Sequence, residues 1–186
     1  MQREIEISLQ ILRNGQTILY PTDTVWGIGC DATNRNAVSK IFEIKERDNS
    51  KSLVVLVDSV DMLRNYVEQV PENVIAILSE SIKPTTIIYN CPKNLAKNVI
   101  AEDNTVAIRI VRDDFCKILI KRFNRPIVST SANISGEETP KAFNEISKSI
   151  LDSVDYIVNL AKEEINLKSS SIIRIMEDNT IKIIRD

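Results

Sequence analysis

The chain has 186 residues, 43% hydrophobic and 27% charged, with a formal net charge of −2 and no histidine. That length accommodates one domain with a substantial core and leaves little room for two. The missing imidazole removes serine–histidine and cysteine–histidine hydrolases, histidine-ligated metals and the usual general base near neutral pH. Chemistry must then rest on lysine, arginine, carboxylates, hydroxyls and backbone amides, a set suited to anionic ligands. The cysteines, Cys30, Cys91 and Cys116, are odd in number and widely spaced, which indicates reduced thiols and neither a disulfide framework nor a zinc site. No run approaches the ~18 apolar residues that span a bilayer. The N-terminus, MQREIEISLQILRNG, lacks a signal-peptide core, so a cytoplasmic location without membrane contact is expected.

In chain order, residues 4–14 read as a helix with Ile5, Leu9 and Leu12 on one face and Gly15 as its stop. A strand, Thr17 to Tyr20, runs into Tyr20–Ala32 (YPTDTVWGIGCDA), whose proline, hydroxyls, Asp23, Gly27 and Gly29 make a poor strand and a poor helix. It reads as a loop lining a site, with Cys30 most simply a small packed residue. Asn34 to Glu46 reads as a helix capped by Asn34, with Val38, Ile41, Phe42 and Lys45 on one face. Leu53 to Val57 is apolar without alternation, as in a strand covered on both faces. Helices are expected at Asp58 to Tyr66 and Pro71 to Ser79, a strand at Thr85 to Tyr89, and a loop from Asn90 to Asn104. Further expectations are a strand at Thr105 to Val111, a helix at Asp113 to Arg122, and a strand at Pro126 to Thr130. A helix from Lys141 to Ile150, opened by Pro140, and strands at Tyr156–Val158, Ser171–Ile175 and Ile181–Ile184 complete the chain. Intermixed helices and strands indicate an α/β or α+β class in one layered domain, residues 1–186.

Four polar groups sit at predicted strand ends, where sites in layered α/β proteins form. One is the 20–32 loop. Another is Lys45, Arg47 and Lys51, three cations in seven residues suited to a triphosphate; the plain alternative is a solvated helix end. A third is Arg109, which shares a strand face with Ala107 and Val111 and must snorkel, pair with a carboxylate or receive an anion. The fourth is Ser129-Thr130-Ser131-Ala132-Asn133, able to donate to an oxyanion or simply to cap a turn. No Walker-type loop or dinucleotide fingerprint competes with them.

Taken in order, YPTDTVWGIGCDA, KERDNSKSL, VAIRI and STSANISG resemble the successive signatures of the YrdC/TsaC family of L-threonylcarbamoyladenylate synthases. The likeness runs through nearly the whole chain, and its length resembles the single-domain form. It implies an open twisted mixed sheet flanked by helices, with a large concave, positively charged site. It also implies a nucleotidyltransferase that makes threonylcarbamoyl-AMP and pyrophosphate from L-threonine, bicarbonate and ATP, with Mg2+ accompanying the nucleotide and no dedicated protein ligands. The product would pass to a tRNA threonylcarbamoyl transferase complex that modifies the adenosine beside the anticodon, and weak direct tRNA binding falls within the expectation.

By position, the resemblance assigns Lys45, Arg47 and Lys51 as catalytic cations and Thr24, Arg109 and Ser129 as threonine contacts. Arg47, Lys51, Thr105, Ser131, Asn133, Thr139, Ser170 and Arg185 become ATP contacts. The chain departs from the family pattern at Ser81–Thr86 (SIKPTT), at Ser52, and at Ala161–Lys168 (AKEEINLK). From a different functional class, an RNA-binding module using the same concavity without adenylate synthesis remains open, though the net charge of −2 argues against it.

Overall fold

A computed structural model describes residues 1–48, 52–163 and 169–186. Helix α1, Gln2–Arg13, buries Ile5, Leu9 and Leu12, and Gly15 at φ +71 turns the chain out of it. Strands β1 (Ile18–Tyr20) and β2 (Gly27–Gly29) follow. Helix α2, Arg35–Ile44, starts at Asn34, whose side chain accepts from the Asn36 and Ala37 N–H groups, and buries Ala37, Val38, Ile41 and Phe42. Each helix thus forms where apolar residues recur at three- and four-residue spacing and a cap stands at its end. The later elements are β3 (Val54–Val57), α3 (Val60–Leu63), α4 (Glu72–Glu80), β4 (Thr85–Asn90), β5 (Thr105–Ile110) and α5 (Asp114–Phe123). The chain closes with β6 (Ile127–Ser131), α6 (Lys148–Ser153), β7 (Tyr156–Ile157), β8 (Ser171–Ile175) and β9 (Ile181–Arg185).

The strands form one mixed sheet in the order β7-β1-β2-β6-β3-β5-β4-β8-β9. β1–β7, β3–β5 and β4–β8 run parallel and the other neighbours antiparallel. The apolar run that predicts a strand covered on both faces is β3, which lies in the middle of the sheet, hydrogen-bonded to β5 and β6. α1 packs on α5, and an Arg122–Glu6 ion pair of 2.8 Å joins them. Among the described residues no helix is long and apolar enough to cross a membrane. Cys30 is fully buried, which agrees with its reading as packing.

Three local expectations are corrected. The 20–32 segment is a loop over residues 21–26 as expected, but Gly27–Gly29 form a strand: Tyr20 pairs with Gly27 and Ile18 with Gly29, and β2 also pairs with β6. A β-carbon on Gly29 would stand 2.5 Å from the Val128 carbonyl oxygen and 2.7 Å from the Tyr20 ring. Glycine, normally depleted in strands, is what allows this one to form. The helix expected at 58–66 shortens to α3, because the chain then bends to make a Val67–Pro92 bridge and a Lys93 N–H to Tyr66 carbonyl bond. The helix expected at 141–150 splits into a 3-10 turn, Phe143–Glu145, and α6. Ala142 and Ile146 take extended backbone there. Phe143 packs on the buried Trp26 ring at 4.9 Å, so tertiary packing overrides local propensity.

The end of α2 shapes the site. The Arg47 N–H donates to the Phe42 carbonyl and the Glu46 N–H to the Glu43 carbonyl, the paired bonds of a Schellman motif. Its left-handed position is held by Glu46 at φ 48. Replacing Glu46 by glycine relieves about 1–2 kcal/mol of left-handed strain against roughly 0.5–1 kcal/mol of added unfolded-state entropy. Glu46→Gly is therefore expected to raise stability slightly in urea denaturation. Gly29→Ala is expected to cost about 3 kcal/mol, because the nearest obstacle is backbone and cannot swing away; a midpoint unchanged by that substitution would contradict the packing described.

Candidate functional site

Sheet register assembles the site. Cross-strand partners present their side chains to the same face, as do residues two apart on a strand. Arg185 pairs with Ile172, Ile172 with Thr86, Thr86 with Arg109 and Arg109 with Leu56, which puts two arginines from distant parts of the sequence in one transverse row. Two residues along, Ala107, Val54 and Ser129 form a second row on the same face. Ser131, two beyond Ser129, pairs with Gly27.

Over this face opens a cavity of about 260 Å³. Its walls contain three guanidinium groups (Arg47, Arg109, Arg185) and eight hydroxyl residues, among them Thr24, Ser129, Ser131, Thr139 and Ser170, and no carboxylate among the described residues. A larger cavity of about 450 Å³ includes Glu68, Asp103 and Glu177 and no cation. Charge, not size, marks the first as the place for an anion.

Each wall group is held by its neighbours. Thr24 is buried in the hairpin turn, its hydroxyl 3.0 Å from that of Thr22, which donates to the Val25 carbonyl. Arg109 pairs with Asp23 at 3.0 Å, both side chains at most 10% exposed, and its Nε has no hydrogen-bond partner among the described residues. The second Asp23 oxygen accepts from the Arg112 N–H at 3.4 Å, and the Arg112 guanidinium donates to the Ser81 and Ile82 carbonyls. Of the readings open for Arg109 the structure realises the ion pair, and the same guanidinium also borders the cavity. Arg47 donates to the Ser52 carbonyl at 2.7 Å, and its buried Nε has no partner among the described residues; burial lowers its pKa. Arg185 makes two bonds to the Ser170 carbonyl, and the Ser170 hydroxyl meets that of Thr86 at 2.8 Å. Ser129 lies beside the fully buried Tyr20, whose hydroxyl also donates to the Val128 carbonyl; burial first, then the nearby Cys116, pushes the phenol pKa up. A β-carbon on Gly27 would come within 2.9 Å of the Ser129 oxygen, so this glycine keeps the wall open.

Of the residues the sequence singles out, Thr24, Arg47, Arg109, Ser129, Ser131, Thr139, Ser170 and Arg185 come together here. Three do not border this cavity. Thr105 lies on an adjoining one of about 350 Å³ that shares Ser52, with its hydroxyl donating to Asp103. Asn133 donates to the Ile134 and Glu137 carbonyls, and its own oxygen is buried without a partner. Lys45 is 1% exposed and its ammonium donates to the Ser131 and Asn133 carbonyls at 2.5 and 2.7 Å, which places it behind the wall of this cavity. Lys51, and residues 164–168 of the altered segment 161–168, lie outside the described residues. Sequence reasoning counts Asp23 only among the residues that make the 20–32 stretch irregular and passes over Arg112; a carboxylate three residues past Tyr20 carries no local mark of a partner on another strand. Among the described residues no group of three or more His, Cys, Asp or Glu gathers that could hold a metal ion.

Burial lowers the Lys45 ammonium from its ordinary 10.5 to about 8, with the Arg47 charge adding to the effect. Between those values the folded chain has released a proton that the unfolded chain still binds, so this group's contribution to stability rises with pH through that window. Lys45→Met is expected to remove the increment. Urea denaturation at pH values from about 8 to 10 checks this: the stability difference between the natural protein and the variant grows in favour of the natural protein, and parallel pH profiles would contradict it.

The family model for the Sua5, YciO and YrdC domain, described as "Telomere recombination", matches residues 10–186. A relative named threonylcarbamoyl-AMP synthase from Pseudoalteromonas translucida is 33% identical over 161 residues, covering 85% of this chain and 86% of its own. The structure of Pyrococcus abyssi Sua5 complexed with L-threonine is similar at a TM-score of 0.83 and 25% identity, over 93% of this chain and 51% of that one. This chain therefore spans about half of the P. abyssi protein. E. coli YciO shares the fold at a TM-score of 0.86 and 23% identity, over 100% and 90% of the two chains. With the family signatures spread along the sequence and gathered around one cationic cavity, the chain belongs to the Sua5/YciO/YrdC family.

Proposed function

We propose that this protein is a threonylcarbamoyl-AMP synthase, which converts L-threonine, bicarbonate and ATP into threonylcarbamoyl-AMP, pyrophosphate and water. The observation that carries the reading is one cavity with three arginines, eight hydroxyl residues and no carboxylate in its wall among the described residues. Every substrate in that set brings negative charge, and a relative with this name covers most of the chain.

The chemistry needs no histidine. The threonine amine adds to bicarbonate and loses water to give an N-carboxylate. A carboxylate oxygen then attacks the α-phosphorus of ATP, and the bond to the β-phosphate oxygen breaks to release pyrophosphate. Three anions must be held in line, and such positioning supplies roughly 7–11 kcal/mol of a barrier. Arg109, already oriented by Asp23, receives the threonine carboxylate, and Thr24 and Ser129 orient the rest of the amino acid. Arg47, whose buried Nε has no partner among the described residues, grips the phosphates together with Lys51. Ser131, Thr139, Ser170 and Arg185 complete the nucleotide side, Thr105 reaches it from the adjoining cavity, and Asn133 keeps the turn after β6 in shape. The hydroxyls and guanidiniums of the wall offer no carboxylate ligand set among the described residues, so they fit a metal that would arrive with the nucleotide, where Mg2+ would neutralise phosphate charge. The product passes to a tRNA threonylcarbamoyl transferase complex in the cytoplasm, and any direct tRNA contact is weak.

Formation of the ATP-derived adduct, with threonine and bicarbonate omitted in turn, tests the reading; turnover is expected only when all three substrates are present. Salt-sensitive RNA binding without threonine-dependent ATP turnover would overturn it in favour of an RNA-binding module. Arg47→Ala is expected to lower pyrophosphate release by about 100-fold or more while circular dichroism stays unchanged. Arg109→Met should act on the other substrate, raising KM for threonine by at least about tenfold with KM for ATP nearly constant. Near-normal turnover in the first variant, or an unchanged KM for threonine in the second, would remove that residue from its role.

A further inference from the structure

We propose that Lys45 is a positioning residue, which ties the end of α2 to the turn after β6 and so fixes Arg47 and Ser131 relative to one another. The proposal rests on reading the cavity as an ATP site and concerns how that site is held.

Two segments supply its phosphate side, and they are 84 residues apart between Arg47 and Ser131. Nothing in the local chain holds one to the other. Lys45 spans the gap in both directions. Its ammonium donates to the Ser131 carbonyl at 2.5 Å and the Asn133 carbonyl at 2.7 Å, and its own carbonyl accepts from the Ser135 N–H at 2.8 Å. Asn133 tightens the same turn by donating to the Ile134 and Glu137 carbonyls. On the α2 side, Arg47 is fixed two residues beyond Lys45 by its N–H bond to the Phe42 carbonyl. On the β6 side, the Ser131 backbone pairs with Gly27.

Direct phosphate contact by Lys45 would require the ammonium to leave both carbonyls and enter a cavity it does not border. That would strand buried acceptors whose charge-assisted bonds are the strong kind. An ammonium at 1% exposure reaches the nucleotide only through the groups it holds. Arginine could not replace it without forcing a larger planar group between the two carbonyls, which explains why a compact cation suits this place.

The test uses the full-length protein and Lys45→Met, which keeps an unbranched side chain and removes the donors. Hydrogen exchange is expected to quicken by at least about tenfold at the Ser135 amide and its neighbours in residues 131–137. ATP is expected to bind about tenfold or more weakly, and L-threonine to bind with little change. Exchange in 131–137 that matches the natural protein would overturn the proposal. A second measurement needs no variant: acylation of amines in the natural protein, read by mass spectrometry against the exposed Lys40. Lys45 is expected to react far more slowly than Lys40 with or without ATP. Lys45 reacting like Lys40 in the absence of ATP and becoming protected by it would mean direct phosphate contact and would sink the proposal. If the natural protein binds no ATP while the variant still loosens 131–137, the ATP reading of the cavity fails and the clamp stands.

Discussion

Burying a cation without a partner costs several kcal/mol, and this fold buries both Lys45 and Arg109. How each is compensated decides what the cavity can do. Arg109 has a carboxylate, Asp23, so its charge is balanced while its direction is fixed. Lys45 has two carbonyls, whose dipoles take two of its three donors but leave its charge formally uncancelled. Arg47 and Arg185 spend donors on backbone carbonyls in the same way. Since no carboxylate enters the wall among the described residues, positive charge is left over, and an anionic ligand supplies what the protein withholds.

The same carbonyl-based compensation links the two halves of the site. A carboxylate partner for Lys45 would have neutralised it; carbonyls from the Ser131–Asn133 turn make it a structural tie between segments far apart in sequence. Beside Arg109, Asp23 plays the corresponding part. It joins Arg109 to the Arg112 backbone, and Arg112 in turn holds the Ser81–Ile82 carbonyls, where the sequence departs from the family pattern. The proposed reaction asks for three anions in a line, and the fold meets that demand by rigid placement from the side. The wall carries no proton-transfer group of the usual neutral-pH kind, since the chain has no histidine.

Glycine placement sets how closely the elements approach. Gly29 lets β2 lie against the Val128 carbonyl and the Tyr20 ring, and Gly27 leaves room for the Ser129 hydroxyl. A run that looks too irregular for a strand becomes one because its missing β-carbons are needed by neighbours on β1 and β6. Local propensity has no access to that requirement, just as it has no access to the packing of Phe143 on Trp26 that breaks the helix expected after Pro140.

The sequence by itself determined the amphipathic helices and the Asn34 cap, the doubly covered β3, the absence of imidazole chemistry and the motifs that mark the family, because these are encoded by neighbours in the chain. It also named most of the residues that border the cavity. Only the tertiary structure decided that Arg109 meets Asp23, that Arg185 and Arg109 share a transverse row, and that Lys45 turns away from the cavity to hold a distant turn. A lysine two residues before an arginine looks the same on paper whether both face a phosphate or one is spent on backbone. Which it is depends on carbonyls 86 and 88 positions away, and their place is set by sheet register, a property of strand pairing that no local spacing contains.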